Sequence, residues 1–223
     1  MAGGMAVDGL DRATAETLER YGFGALPYDR LCAELRSGTA SSNHVTGTVE
    51  VPLPGDITAL PAMGTDARRE LETAGLESMR RGEVGVVVLA GGMATRFGGV
   101  VKALAPAVDG HTFLELKVRD VAHVAGRAGA TVPVYLMTSF ATDERIREEA
   151  ARLSSAATPI DCFAQFVSMR VTPNGELHRD VTGAASLYAP GHGDLPFALR
   201  RSHVLSRFRA AGGKYLFMSN VDN

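Results

Sequence analysis

The chain has 223 residues, 45% hydrophobic and 22% charged, and 23 Lys+Arg against 25 Asp+Glu leave a net charge of −2. That length buries a sizeable core, the near-neutral balance excludes the basic footprint of a nucleic-acid binder, and no stretch approaches the roughly 20 apolar residues of a membrane span. Two distant cysteines, Cys32 and Cys162, exclude a disulfide framework and a CxxC zinc site; residues 1–10 lack the basic start and apolar run of a secretory signal, so a cytoplasmic enzyme is expected.

Residues 11–21 and 28–36 carry short helical patterns, the second with Leu31 and Leu35 on one face. Residues 38–63 are rich in Gly, Ser, Thr and Pro and read as a long connection broken by Pro52, Pro54 and Pro61. Residues 65–81 read as a helix, with Thr65 as N-cap, Asp66 in the first turn and Arg80-Arg81 before Gly82. Residues 1–83 are therefore expected to form a helical N-terminal extension.

From Val84 the pattern changes. Residues 84–90 (VGVVVLA) are nearly all apolar, as in a strand covered by helices on both faces. Residues 91–110 form a glycine-rich loop. Residues 112–129 are predicted helical, with Thr112 and Glu115 as a capping box and Leu114, Val118, Val121 and Ala125 on one face. A strand at 131–138, a charged helix at 142–153 and a strand at 159–166 follow. Residues 167–189 read as a hairpin turning at Pro173-Asn174-Gly175. One helix is predicted over 194–211, with Leu195, Leu199, Ser202, Leu205 and Phe208 in a stripe, and a last strand over 214–219. The alternation from residue 84 onward predicts an α/β fold, a parallel doubly wound sheet between helices.

The loop Leu89-Ala90-Gly91-Gly92-Met93-Ala94-Thr95-Arg96-Phe97-Gly98-Gly99 follows a buried strand. Its glycines let backbone N–H groups approach a phosphate, and Arg96 and Lys102 add the positive charge a triphosphate needs. The Walker pattern is excluded, because the only Gly-Lys pair, Gly213-Lys214, is followed by Tyr215. The dinucleotide GxGxxG is excluded because Gly91 and Gly92 are adjacent.

This loop, continued by Lys102, resembles the signature of sugar-nucleotide pyrophosphorylases, which join a sugar 1-phosphate to a nucleoside triphosphate and release pyrophosphate. Two later segments resemble the UTP-dependent branch of UDP-glucose and UDP-N-acetylhexosamine pyrophosphorylases: Pro190-Gly191-His192-Gly193-Asp194, and Asn220-Val221-Asp222-Asn223. The resemblance covers residues 84–223 and implies a Rossmann-like nucleotide-diphospho-sugar transferase fold. The Gly-His-Gly-Asp form leans toward the glucose branch.

The resemblance also implies roles. Leu89, Ala90, Gly91 and Gly92 hold the nucleotide, and Arg96 and Lys102 face the triphosphate as catalytic cations. Gln165 reads the uracil edge, Gly191 and His192 lie beside base and phosphates, and Asp222 binds substrate and the catalytic Mg²⁺. The family usually places Pro immediately before the lysine, where this chain has Val100-Val101 at a spacing about one residue shorter. Asp194 has a separate reading from its position, as N-cap of the following helix. His44, His111, His123, His178 and His203 show no ligand spacing, both cysteines read as inert hydrophobes, and Arg200-Arg201 as a solvated face.

The expected substrates are UTP and a sugar 1-phosphate, with neither nucleic acid nor membrane as partner. The family's catalytic domain continues past the Asn-x-Asp-Asn motif into sugar-binding loops and further strands. The chain therefore reads as the nucleotide side of such a domain, incomplete at its C-terminus. The alternative is an inactive nucleotide-binding fragment, or a module that self-associates or completes its sheet through an uncovered edge.

Overall fold

The computed structural model describes residues 9–40, 44, 46–94 and 99–223. Its centre is a four-stranded, fully parallel sheet in the order β10-β1-β6-β7, formed by β1 (Val84–Leu89), β6 (Val134–Thr138), β7 (Ile160–Ala164) and β10 (Tyr215–Asn220). Successive β1 side chains point to opposite faces. Val86 and Val88 join Val134 and Leu136 under α4 (Phe113–Ala128) and α5 (Asp143–Leu153), which contribute Leu114, Val118, Val121, Ala125 and Ile146. Val87 and Leu89 face the other way, against Met137, Phe163 and residues Ala198, Leu199 and Val204. Burial on both faces is why β1 reads as an unbroken apolar run.

The α4 capping box forms as predicted, and Gly129 closes the helix in the left-handed conformation (φ 61°). The predicted helix over 194–211 is broken in two, α6 (Leu195–Arg201) and α7 (Val204–Ala210), at His203 with φ 59°. The break re-aims the apolar stripe, so that Val204 and Phe208 are buried while Ser202 is only partly covered. The Ser202 hydroxyl donates to the Leu199 carbonyl and helps end α6.

N-terminal to the sheet lie α1 (Arg12–Arg20), α2 (Ala25–Ser37) and α3 (Asp66–Arg80). Asp11 caps α1 and Thr65 caps α3. The buried face of α2 is Tyr28 and Cys32 rather than Leu31 and Leu35; Leu31 is 38% exposed. Those residues, with Leu18 and Tyr21, pack on Val167, Met169 and Ala185. The segment after β7 is a small meander: β8 (Ser168–Met169) pairs antiparallel with β9 (Leu187–Tyr188), and Val171 bridges Leu177 around the Pro173-Asn174-Gly175 turn. Gly175 is required there, since a Cβ would sit 2.4 Å from the Cys32 carbonyl oxygen. Among the described residues, no helix is long and apolar enough to cross a membrane.

Candidate functional site

From β1 the chain crosses through α4 to β6, then through α5 to β7, and returns through α6 and α7 to β10 on the other side of β1. The direction of winding reverses between β1 and β10. The two strands stay paired to their carboxyl ends, Leu89 beside Asn220, and the crevice just beyond those ends is where open α/β sheets bind ligands. A cleft of about 290 Å³ opens at this point, lined by Leu89, Gly91, Gly92, Lys102, Met137, Gln165, Ala189, Gly191, His192, Asn220, Val221 and Asp222. A larger depression of about 580 Å³ between α7 and the start of β10 is lined by Phe208, Gly213 and Leu216 and holds none of the motif residues.

The glycine loop is a hairpin stem rather than an open coil. Short strands β2 (Met93–Ala94) and β3 (Val100–Val101) pair antiparallel, as do β4 (Pro106–Val108) and β5 (His111–Thr112) just after them, and the Lys102 N–H donates to the Gly92 carbonyl at 3.1 Å. The Ser139 hydroxyl donates to the Gly91 carbonyl at 2.8 Å. In a trans peptide the N–H opposes the carbonyl, so Gly92 and Met93 turn their N–H groups away from these partners. Gly91 must be glycine: a Cβ would lie 2.5 Å from Gln165 Nε2 and 3.0 Å from the Thr138 carbonyl carbon.

Ser139 is itself held by a buried network. The Thr142 hydroxyl accepts the Ser139 N–H at 3.0 Å. Asp143, buried at the start of α5, accepts from the Thr138 hydroxyl at 2.6 Å and from Arg147 Nε at 2.9 Å. Its second oxygen accepts from the Tyr21 hydroxyl of the N-terminal region at 3.4 Å.

Gln165 is only 4% exposed. Its Oε1 accepts the Gly191 N–H at 3.2 Å, which fixes the flip of the amide and turns the NH₂ group toward Gly91. At the other end of the cleft Lys102 Nζ and Asp222 Oδ2 are 2.5 Å apart, joining the glycine loop to the segment after β10. The lysine ammonium holds the Asp222 carboxyl below the usual carboxylate range. Lys117 also donates to the Asn223 carbonyl.

The structure thus brings Leu89, Gly91, Gly92, Lys102, Gln165, Gly191, His192 and Asp222 to one cleft. Ala90 does not line it; its side chain is in the core under α4. Arg96 lies outside the described residues. His192 is exposed at the rim, in a short 3₁₀ turn (His192–Asp194) entered through Gly191 at φ 102°. Asp194 does not cap α6 with its side chain; it accepts the Phe166 N–H at 2.6 Å. Arg201 is not simply solvated, since its guanidinium lies 4.5 Å from the Phe166 ring centre and burial lowers its pKa. Ser139 and Met137 have no motif signal of their own. Position offers one: each sits at or just past the carboxyl end of β6.

A divalent cation would find one carboxylate here. Among the described residues, no group of three or more His, Cys, Asp or Glu side chains converges. Mg²⁺ takes one or two carboxylates and completes its shell with phosphate oxygens and water, so Asp222 fits a cation that arrives with a polyphosphate. Such a cation competes with Lys102 for the carboxylate.

The family model for UTP–glucose-1-phosphate uridylyltransferase matches residues 52–223, beginning inside the stretch read as an N-terminal extension. A probable UTP–glucose-1-phosphate uridylyltransferase of Schizosaccharomyces pombe is 34% identical over 156 residues, covering 68% of this chain and 31% of that one. A UTP–glucose-1-phosphate uridylyltransferase of Hordeum vulgare is 30% identical over 97% of this chain and 46% of its own length. Among solved structures, the Trypanosoma brucei uridine diphosphate N-acetylglucosamine pyrophosphorylase aligns at TM-score 0.72 and 18% identity, over 96% of this chain and 47% of that chain. That likeness shows the fold. The chain spans about a third to a half of the length of these curated relatives.

Proposed function

The chain belongs to the UTP–glucose-1-phosphate uridylyltransferase family, and from that premise we propose that it forms the nucleotide-holding part of an enzyme making a UDP-sugar, UDP-glucose, and pyrophosphate from UTP and a sugar 1-phosphate. In this reading residues 84–223 carry the nucleotide-binding part and residues 1–83 extend it. One observation carries the proposal: the three motif segments converge on a single cleft at the switch point of a parallel sheet.

The reaction needs no covalent intermediate. An oxygen of the sugar 1-phosphate attacks the α-phosphorus of UTP in line, and pyrophosphate leaves. Catalysis is positioning plus neutralisation of charge on phosphate oxygens. In the proposed complex the Gly91-Gly92 backbone seats the phosphates, with its carbonyls tied back by Ser139 and by the Lys102 N–H. The Gln165 NH₂ group offers donors to a uracil carbonyl, and its oxygen keeps a second lone pair for the N3–H. Lys102 releases Asp222 and moves its ammonium to the phosphates. Asp222 would hold Mg²⁺, which supplies further neutralisation of phosphate charge when bound. Arg96 belongs to the same loop and is assigned the triphosphate by resemblance alone.

Binding and turnover are separate expectations. Calorimetry with UTP and Mg²⁺ tests the first; pyrophosphate release on adding glucose 1-phosphate tests the second. Binding of ATP or GTP in preference to UTP would overturn the uridine assignment. UTP binding without turnover would favour a binding part that needs more chain for the sugar. Behind that second reading stands β10, an edge strand whose Tyr215, Phe217 and Met218 are exposed. An edge of this kind also suits self-association or completion by further strands, which sedimentation would report as a concentration-dependent mass.

A further inference from the structure

We propose that Asp194 is a positioning residue for the cleft, acting through a reciprocal clasp with Gln165. The inference rests on the reading that this cleft receives UTP, and it concerns a residue that does not itself line the cleft.

Two hydrogen bonds cross between the same two segments in opposite senses. The Gln165 side chain accepts the backbone N–H of Gly191 at 3.2 Å, and the Asp194 side chain accepts the backbone N–H of Phe166 at 2.6 Å. Each segment therefore donates a backbone N–H to a side chain of the other. Like a helix capping box, paired bonds of this kind fix separation and rotation together, where a single bond leaves a hinge. The carboxylate bond is charge-assisted and the stronger of the two. Burial pushes the Asp194 carboxyl above its ordinary pKa, with the Phe166 N–H and the nearby Arg201 acting against that shift.

The clasp is braced from behind. The Arg201 guanidinium covers the Phe166 ring at 4.5 Å, and the Val167 N–H donates to the Tyr21 carbonyl at 3.2 Å. Gly22 leaves room for this arrangement, since a Cβ there would meet Arg201 and, at 3.1 Å, the Phe166 ring. On the cleft side, Gly91 leaves the space that the Gln165 amide occupies, since a Cβ there would lie 2.5 Å from its Nε2. Gln165 is thus held through its own amide and through its neighbours Phe166 and Val167, and His192 lies between the two anchor points Gly191 and Asp194.

The clasp makes a reciprocal prediction. In Asp194→Ala the Gly191 amide, whose own acceptor is untouched, loses protection against hydrogen exchange in the ligand-free chain. In Gln165→Met the Phe166 amide does the same. Protection of β1 amides stays unchanged in both, which reports an intact fold. Asp194→Asn keeps an acceptor oxygen and restores Gly191 protection. UTP affinity by calorimetry falls about tenfold in Asp194→Ala and stays within about threefold of the parent in Asp194→Asn.

Unchanged Gly191 exchange in Asp194→Ala would overturn the clasp, as would unchanged UTP affinity in a parent that binds UTP. If the parent does not bind UTP, the uridine reading fails, and the exchange measurement alone decides the clasp. Should Asp194→Ala not fold, Gln165→Met provides the reciprocal exchange readout, and a protected Phe166 amide there would overturn the proposal.

Discussion

At the amino ends of the strands Glu83 is gripped between two cations, whereas at the carboxyl ends Lys102 and Asp222 form an ion pair beside an open cleft. The nearly buried Glu83 carboxylate meets Lys214 Nζ at 2.6 Å and Arg81 Nη2 at 3.0 Å, and its pKa falls to about 2. Its backbone carbonyl accepts the N–H groups of Lys214 and Tyr215, fastening the start of β10 to β1. Separating Glu83 from Lys214 means separating the strands, while Arg81 reinforces the carboxylate from its own side. Lys102 and Asp222 are partly exposed, bridge two loops and border the space a ligand would fill. A polyphosphate can replace Asp222 for the lysine, and a cation can replace the lysine for Asp222. Under the proposed function, the same kind of contact is a fastening at one end of the sheet and an exchangeable placeholder at the other.

Substitutions sharpen the contrast, starting with the largest effect on UTP affinity. Gly91→Val drives side-chain atoms into the Gln165 amide and the Thr138 backbone. UTP affinity should fall about 100-fold, because relief of that overlap moves the clasped amide. Calorimetry showing affinity within threefold of the parent would remove Gly91 from the site.

Lys102→Met should weaken UTP about 10- to 100-fold, the loss expected for hydrogen bonds to a charged partner. Its melting temperature should hold, since a partly exposed ion pair adds little stability. A large fall in melting temperature would instead make this pair a fastening like that of Glu83.

Asp222→Asn should have effects of opposite sign. Without Mg²⁺, UTP binds a few-fold tighter because the lysine no longer has a competing carboxylate. With Mg²⁺, the improvement that the cation gives the parent is lost. A variant that is weaker under both conditions would refute the placeholder role.

Glu83→Gln should leave UTP affinity unchanged and lower thermal stability. Because folding depresses the Glu83 pKa from 4.5 to about 2, its stabilisation is complete above about 4.5 and is lost as pH falls through about 2. Acid denaturation of the parent should therefore carry a component in that window that the variant lacks. Identical acid curves would show that the clamp does not hold β10 to β1.

Much of the scaffold was legible because its causes are local. The apolar run of β1, the Thr112–Glu115 box and the Thr65 cap are written within a few neighbouring residues. The break at His203 was not legible: the stripe from Leu195 to Phe208 keeps helical spacing through it, and packing of Val204 on Val87 and Phe163 and of Phe208 on Tyr135 accompanies the new direction. The packed face of α2 differs from its leucine face for a related reason, since Leu31 and Leu35 have the right spacing but the meander that covers the helix meets Tyr28 and Cys32. Motif residues of the site were legible as a group. Ser139 and the Asp143 network were not, because a hydroxyl or carboxylate becomes a support only when a remote segment arrives beside it.

The amino-acid sequence by itself determined the strand–helix alternation, the glycine loop, the two later motifs and the resemblance they carry, because each depends on side chains close together along the chain. Tertiary structure alone decided that Lys102 would meet Asp222, that Asp194 would hold Phe166 rather than cap α6, and that Ala90 would face the core. Those outcomes depend on which strands become neighbours and where the winding reverses. That is a property of the folded sheet as a whole, since it joins residues as far apart as the glycine loop and the end of β10.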